Sequence, residues 1–242
     1  MKLLTIITVT YNAKDTLKKT LESLRAEKSE SVEYIIIDGG STDGTLELIA
    51  AFDDSIDIVV SEHDRGIYDA LNKGLQLSSG RFIGTLHAGS QYRTGALREA
   101  LKQLDEQKDK ICAFSAQFLS DDEKIYKREK MAPLSPYNTT IFHETLIVPK
   151  ICYDLIGNFN IKYQVSADFD WISRAVNSHI PIVYFNLVLI DYFAGWGFSN
   201  SWQSRFLKLK EHLIIMRKHV GLTFALKRFL KKLIAQLLLR RV

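Results

Sequence analysis

Apolar residues in the first part of the chain fall into two alternating rhythms. Leu3 to Val9 is an almost unbroken apolar run, and Tyr34-Ile35-Ile36-Ile37 is another that stops on Asp38. Unbroken runs of this length suit strands covered on both faces. Each is followed by apolar residues at helical spacing. Leu17, Leu21 and Leu24 follow the first run; Leu46, Ile49 and Ala50 follow the second. Asp15 or Asn12 can cap the first helix. Asp43 or Thr42 can cap the second, predicted over Thr45 to Phe52. A third strand is expected from Ile56 to Ser61, then a helix whose apolar face is Ile67, Ala70, Leu71 and Leu75. Strand-helix-strand-helix-strand predicts a parallel sheet with right-handed crossovers.

The rhythm continues with a strand over Arg81 to Leu86, a helix over Thr94 to Leu104 and a strand over Ile111 to Phe118. The charged stretch Ser120 to Lys130 reads as a hairpin turn or loop. From Pro133 prolines and polar residues thicken, yet the pattern predicts a second half of the same domain. His143 to Val148 is strand-like, Val165 to Ser178 helical and Pro181 to Leu189 a strand. Asp191 to Ser201 reads as a loop rich in glycine and aromatic residues. The remainder is helical.

Composition adds one contrast. A hydrophobic share of 46% and a charged share of 25% are ordinary for a globular protein. Between Ser201 and Val242, however, stand eleven basic residues and one acid, Glu211, which leaves 21 basic and 27 acidic residues in 1–200. The body carries −6 and the tail +10. In the tail, Phe206, Leu209, Leu213, Met216 and Val220 share a helical face, and Phe224, Leu226, Phe229, Leu230, Leu233, Ile234 and Leu237 continue it past Gly221. Interleaved with lysine and arginine, this predicts an amphipathic helix on an anionic membrane surface. A helix packed on the body with a solvated basic face has the same pattern. No nucleic-acid-binding motif accompanies the charge, so no nucleic-acid partner is expected. No apolar run is long enough to span a bilayer. Cys112 and Cys152 lack metal-ligand spacing and read as reduced thiols of a cytoplasmic protein.

Polar clusters stand at the strand ends: Thr10-Tyr11-Asn12, Asp38 to Asp43, Asp64 to Asn72, and His87-Ala88-Gly89-Ser90. A parallel sheet gathers its carboxyl ends on one edge, so these clusters should converge on one crevice. No Gly-x-Gly-x-x-Gly follows the first strand and no Gly-Lys-Ser/Thr loop exists, which counts against a dinucleotide cofactor and a P-loop phosphotransferase.

Thr8-Val9-Thr10-Tyr11-Asn12, then Tyr34 through Asp38-Gly39-Gly40-Ser41-Thr42-Asp43-Gly44-Thr45, then Asp64-Arg65-Gly66-Ile67-Tyr68-Asp69-Ala70-Leu71-Asn72-Lys73-Gly74, resemble glycosyltransferase family 2. A looser similarity covers His143-Glu144, Val165 to Arg174 and Gly195 to Ser199, and points to the family's bacterial surface-polysaccharide branch. The resemblance implies a GT-A fold: α/β, with a Rossmann-like, mostly parallel sheet flanked by helices. It implies a glycosyltransferase domain over 1–200, with a nucleotide-sugar half (1–90) and an acceptor half (91–200). The basic amphipathic tail, 201–242, follows. Activity would be inverting transfer from a nucleotide-diphosphate sugar to a saccharide or lipid-linked saccharide, on the inner face of the membrane.

Residue roles follow from the same resemblance. Thr10 and Tyr11, with Asn12, would line the nucleobase and ribose. Asp38, with Ser41, would meet the base edge. Asp64, Arg65, Gly66, Asn72 and His87 would complete the nucleotide-sugar pocket. Asp168 would be the general base that a weakly nucleophilic sugar hydroxyl needs. His143 and Trp196 would line the acceptor site. One position departs from the family: Ser90 stands where an Asp binds manganese or magnesium through the diphosphate. A neutral hydroxyl is a weak ligand for a hard cation. Three accounts stay open. His87 or another acid holds the ion, basic groups such as Arg65 or Arg93 replace it, or activity is weak or lost.

Overall fold

The computed structural model describes residues 2–120, 124–129, 133–135, 142–193 and 202–238. At its centre lies β1 (Leu4–Thr10), buried along its whole length. β2 (Val32–Asp38), equally buried, pairs with it in parallel, with Thr10 opposite Asp38. β3 (Ile58–Ser61) extends the sheet beyond β2, and β4 (Phe82–Thr85) flanks β1 on its other side, both in parallel. The crossovers are α1 (Lys14–Glu27), α2 (Thr45–Ala50) and α3 (Ile67–Leu77).

Side chains alternate between the two faces, as strand geometry requires. Leu4, Ile6, Tyr34 and Ile36 pack on one side with Leu17, Leu21 and Leu24 of α1. Ile7, Val9, Ile35 and Ile37 pack on the other with Tyr68, Leu71 and Leu75 of α3. Each such aliphatic side chain, fully buried, contributes about 1.5–3 kcal/mol relative to exposure. Gly80 lets the chain leave α3 against β1, for a Cβ there would lie 2.5 Å from the Thr5 amide nitrogen.

Antiparallel pairings enter with the second half. After β5 (Ser90–Tyr92) and α4 (Ala96–Leu104) come β6 (Ile111–Leu119), β7 (Ile125–Glu129) and β8 (Leu146–Pro149). Then follow α5 (Lys150–Ile156), α6 (Ala167–Asn177) and β9 (Ile182–Phe193). The strand order is β3-β2-β1-β4-β8-β6-β9-β5, with β7 on β6. β8 runs antiparallel to both β4 and β6, and so joins the halves into one sheet.

Several boundaries differ from expectation. β3 begins at Ile58 because Asp53–Ser55 forms a 3-10 turn first. His143–Thr145 is likewise a 3-10 turn before β8. The 120–130 stretch contributes β7 to the edge of β6. β9 runs on to Phe193, so Asp191, expected in a loop, pairs with Gln91 and Gln117 in the sheet. β5 and α5 carry too few periodic positions to be foreseen. α1 begins after Ala13, with neither Asn12 nor Asp15 making a side-chain cap bond.

The tail forms two helices, α7 (Trp202–Val220) and α8 (Leu222–Leu238), which turn on Gly221 at φ +94°. α7 packs on α6 through a small core of Phe169, Ile215, Met216 and Ala225. The expected apolar face is therefore divided. Leu209 and Met216 are buried, while Phe206, Leu222, Leu226 and Leu230 are exposed.

Candidate active site

The carboxyl ends of β1 to β4 lie on one edge, and the loops after them are tied together by side chains. Asn12, at φ +46°, accepts from the Thr42 amide at 2.9 Å, and its own amide donates to Ser41 Oγ at 2.8 Å. Asp43 accepts from the Lys14 and Thr45 amides at 3.2 and 3.0 Å. These bonds to Asp43, the Thr45 hydroxyl's foremost, hold its carboxyl below the usual range. The first two loops thus form one rigid unit.

Asp38 is completely buried within it. Its Oδ2 accepts from the amides of Gly40 at 3.0 Å and Ser41 at 2.9 Å, and from Ser61 Oγ at 2.7 Å; its Oδ1 accepts from Ser41 Oγ. The carboxylate therefore shapes the turn. Tyr11 and Asp64 stand in front. Tyr11 is 64% exposed, and a Cβ on Gly39 would lie 2.9 Å from Asp64 Oδ2 and 3.3 Å from a Tyr11 ring carbon. Gly39 thus lies between an aromatic face and a carboxylate. Thr10 is buried, its hydroxyl without a partner.

Asp64 Oδ1 also accepts from the Gly66 amide at 2.8 Å, at the start of α3. Arg65 points to solvent and pairs with Asp69 at 2.9 Å. Asn72 joins the two halves of the domain. Its amide group bonds the backbone of Phe159 at both ends, 2.9 and 3.0 Å, and so fastens α3 to the second half of the domain.

A second cluster forms where that half meets the first. Tyr68, in the first turn of α3, donates to Asp168 Oδ1 at 2.9 Å from α6. Burial, then the nearby Asp168 charge, raises the Tyr68 phenol well above its usual range, so it remains a donor. Asp168 is half-buried. His143 stacks on His87 with ring centroids 6.4 Å apart and contacts Thr85 Oγ1 through Nδ1 at 3.3 Å. Burial pushes the His143 imidazole down to about 4, against the opposing pull of Asp168, and His87 pushes the same way as burial. His143 is therefore neutral at physiological pH. Glu144, buried, accepts from the His87 amide at 2.7 Å, and burial raises its carboxyl despite that bond.

Tyr68 and Glu144 were not singled out from sequence. Tyr68 lay inside a quoted motif without a role of its own, and its partner is 100 positions away. Trp196 lies outside the described residues.

Ser90 is fully buried in β5, with its carbonyl accepting from Thr20 Oγ1 at 2.8 Å. Among the described residues, no three His, Cys, Asp or Glu side chains gather as a metal site. Arg93, a candidate to replace the cation, pairs with Asp191 at 3.6 Å. The His87 ring keeps a buried Nδ1 with no partner. The described residues at this position therefore offer no carboxylate cluster that fits a hard divalent cation.

The chain is similar to known proteins by sequence and by fold. A sequence profile described as Glycosyl transferase family 2 matches residues 5–163. A PGL/p-HBAD biosynthesis glycosyltransferase of Mycobacterium bovis BCG is 25% identical over 201 residues, covering 81% of this chain and 78% of the relative. The putative teichuronic acid biosynthesis glycosyltransferase TuaG of Bacillus subtilis is 33% identical over 116 residues, 47% of this chain and 45% of its own. Among solved structures, S. aureus TarS 1–349 in complex with UDP-GlcNAc aligns at a TM-score of 0.69 and 16% identity, over 95% of this chain and 72% of that one. The match to the longer TarS chain spans 39% of its length. The mannosyltransferase PcManGT of Pyrobaculum calidifontis, in complex with GDP-Man and Mn2+, aligns at 0.66 and 16%, over 89% of this chain and 63% of that one.

Proposed function

The chain belongs to glycosyl transferase family 2, and from that premise we propose that it is an inverting transferase. It moves a sugar from a nucleotide-diphosphate donor to a saccharide acceptor in polysaccharide or glycolipid assembly. One observation carries the reading: the Tyr68–Asp168 hydrogen bond holds a half-buried carboxylate near His143, whose ring stacks on His87 in the loop after β4. Tyr68 occupies Oδ1 and orients the group. Oδ2 then takes the acceptor hydroxyl's proton as its oxygen attacks the anomeric carbon, which inverts.

On the donor side, Tyr11 offers a face for the base, and Asp64 and Thr10 offer polar contacts to ribose. Asp38 reaches the base edge by exchanging the rotatable Ser41 hydroxyl, its amide bonds staying in place. The leaving diphosphate needs developing charge balanced. His87, with its unpartnered Nδ1, stands three positions before Ser90, the family's metal position, and supplies that balance in this reading. His143 lines the acceptor side with Phe159, whose ring stands edge-on at 5.4 Å.

The acceptor is lipid-linked in this reading. α8 presents Leu222, Leu226 and Leu230 on an exposed stripe, with Lys227 and Lys231 exposed beside it. Apolar side chains edged by lysine suit the cytoplasmic surface of an anionic membrane. No described helix is long and apolar enough to cross a bilayer.

The burial of Ser90 favours a second reading, a nucleotide-sugar-binding partner of an assembly complex with impaired catalysis. Release of nucleoside diphosphate from UDP-GlcNAc and GDP-Man, with and without chelator, tests both. Turnover by the wild type but not by Asp168→Asn supports the transferase. Nucleotide binding without turnover in the presence of saccharide acceptors supports the partner protein, and equal turnover by the two proteins removes Asp168 as base.

A further inference from the structure

The segment that carries Asp168 is anchored from outside itself. Ser166 stands at the cap position of α6, yet makes no side-chain cap bond. Its hydroxyl is buried without a partner. A helix start of this kind leaves backbone N–H groups without partners. Just before this helix start, Glu211 reaches in from α7. Its Oε1 accepts from the Gln164 amide at 2.7 Å and its Oε2 from the Val165 amide at 3.1 Å. Glu211 is buried and is the only acid of 201–242, a tail otherwise rich in lysine and arginine.

Two further grips lie on the same helices. The Phe169 ring stacks on His212, with centroids 4.2 Å apart and planes 16° off parallel. Asp170, 1% exposed, receives Lys218 at 3.5 Å and His219 Nε2 at 3.3 Å from the end of α7, and Arg174 Nε at 2.9 Å from its own helix. Contacts from α7 thus fall at 164, 165, 169 and 170, on both sides of Asp168. Surface anchoring of a tail needs none of them.

We propose that α7 is a positioning element of the reaction centre and that Glu211 is a positioning residue, holding the 164–170 segment so that Asp168 meets Tyr68. This rests on the reading of Asp168 as the base. Loss of the two amide bonds lets the segment drift, and a displacement of this kind at a base costs about tenfold to a hundredfold in rate. Donor binding, built on the loops after β1 and β2, stays as it is.

The test compares full-length Glu211→Ala, Glu211→Gln and Asp168→Asn with the wild type. Glu211→Gln keeps one carbonyl acceptor and guards against a fold lost in the alanine variant. Turnover of UDP-GlcNAc and GDP-Man is measured per folded molecule, UDP and GDP affinity by calorimetry, and amide exchange at 164 and 165 by hydrogen–deuterium exchange. The expected result is a kcat about tenfold or more below wild type in Glu211→Ala with nucleotide affinity unchanged. Amide exchange should be faster by about tenfold, and Glu211→Gln should fall between. Unchanged kcat in Glu211→Ala, while Asp168→Asn is inactive, overturns the proposal alone. So does nucleotide affinity falling in step with kcat. Full activity in Asp168→Asn removes the base reading and this proposal with it.

Discussion

Tyr68 and Asp168 stand 100 positions apart in the chain and 2.9 Å apart in space. The bond crosses from α3, in the half that ends in donor loops, to α6, in the other half. It fixes one carboxylate oxygen and leaves the second for chemistry. Tyr68→Phe should therefore keep the fold and lower kcat by roughly tenfold, since a hydrogen bond to a charged group contributes about 1.5–3 kcal/mol. Steady-state kinetics with donor affinity measured in parallel would show it; a kcat equal to wild type removes Tyr68 from the mechanism.

Gly39 is the tightest point of the donor side. A methyl group there meets the Asp64 carboxylate at 2.9 Å and the Tyr11 ring at 3.3 Å. Gly39→Ala should raise donor KM by about tenfold with kcat little changed, because it displaces groups that bind rather than react. An effect on kcat alone would place Gly39 outside the donor pocket.

His143 makes stability depend on pH. Its folded imidazole is pushed down to about 4, chiefly by burial, while the unfolded value is about 6.5. Between these values the unfolded chain binds the extra proton, so stability is lost as pH falls from about 6.5 to 4. With its partial exposure allowed for, the loss is on the order of 2 kcal/mol. Denaturant unfolding of His143→Gln should show a flatter profile across this window than the wild type. Parallel profiles would mean the imidazole is protonated in the fold.

Asp170 acts at lower pH. Burial opposes its charge, but the His219 bond and the Arg174 and Lys218 charges outweigh it and hold the carboxyl below its usual range. Its contribution is complete above the unfolded value of about 3.9 and is lost as pH falls through the lower folded value. Asp170→Asn should cost about 3–5 kcal/mol at neutral pH, because the cations around a buried carboxylate lose their partner. Denaturant unfolding at pH 7 would measure it, and a change under 1 kcal/mol would mean that water already screens the cluster.

The α8 stripe gives a prediction about surfaces. The wild type should sediment with vesicles containing phosphatidylglycerol and far less with pure phosphatidylcholine. Replacing Leu222, Leu226 and Leu230 by Ser should weaken that binding at least tenfold, the loss of three buried aliphatic side chains at about 1.5–3 kcal/mol each setting an upper bound far beyond it. Equal sedimentation of both proteins would leave only charge as the attraction.

Much of the donor half was legible in the residues themselves. The runs Leu3 to Val9 and Tyr34 to Ile37 became β1 and β2 because covered strands need unbroken apolar sequence. The polar clusters after them met on one edge because parallel strands share a direction. Periodicity is local, and it sufficed there. Asn72 shows where it stopped. The resemblance set it in the nucleotide-sugar pocket, and only the fold showed its bonds to Phe159, 87 residues on. The tail is helical, as its spacing predicts, yet the division of its apolar residues between a buried and an exposed face depended on what α6 offered it.

By itself, then, the sequence determined the alternation of strands and helices in the first half and the family, since these follow from short-range patterns and from residue types at fixed spacing. The tertiary structure alone decided which polar groups face one another. It set Tyr68 on Asp168, Glu211 on the residues just before α6, and Ser90, buried, at the start of β5. Contacts between distant positions leave no periodic trace in the chain, because each is fixed by the packing of elements that must form first.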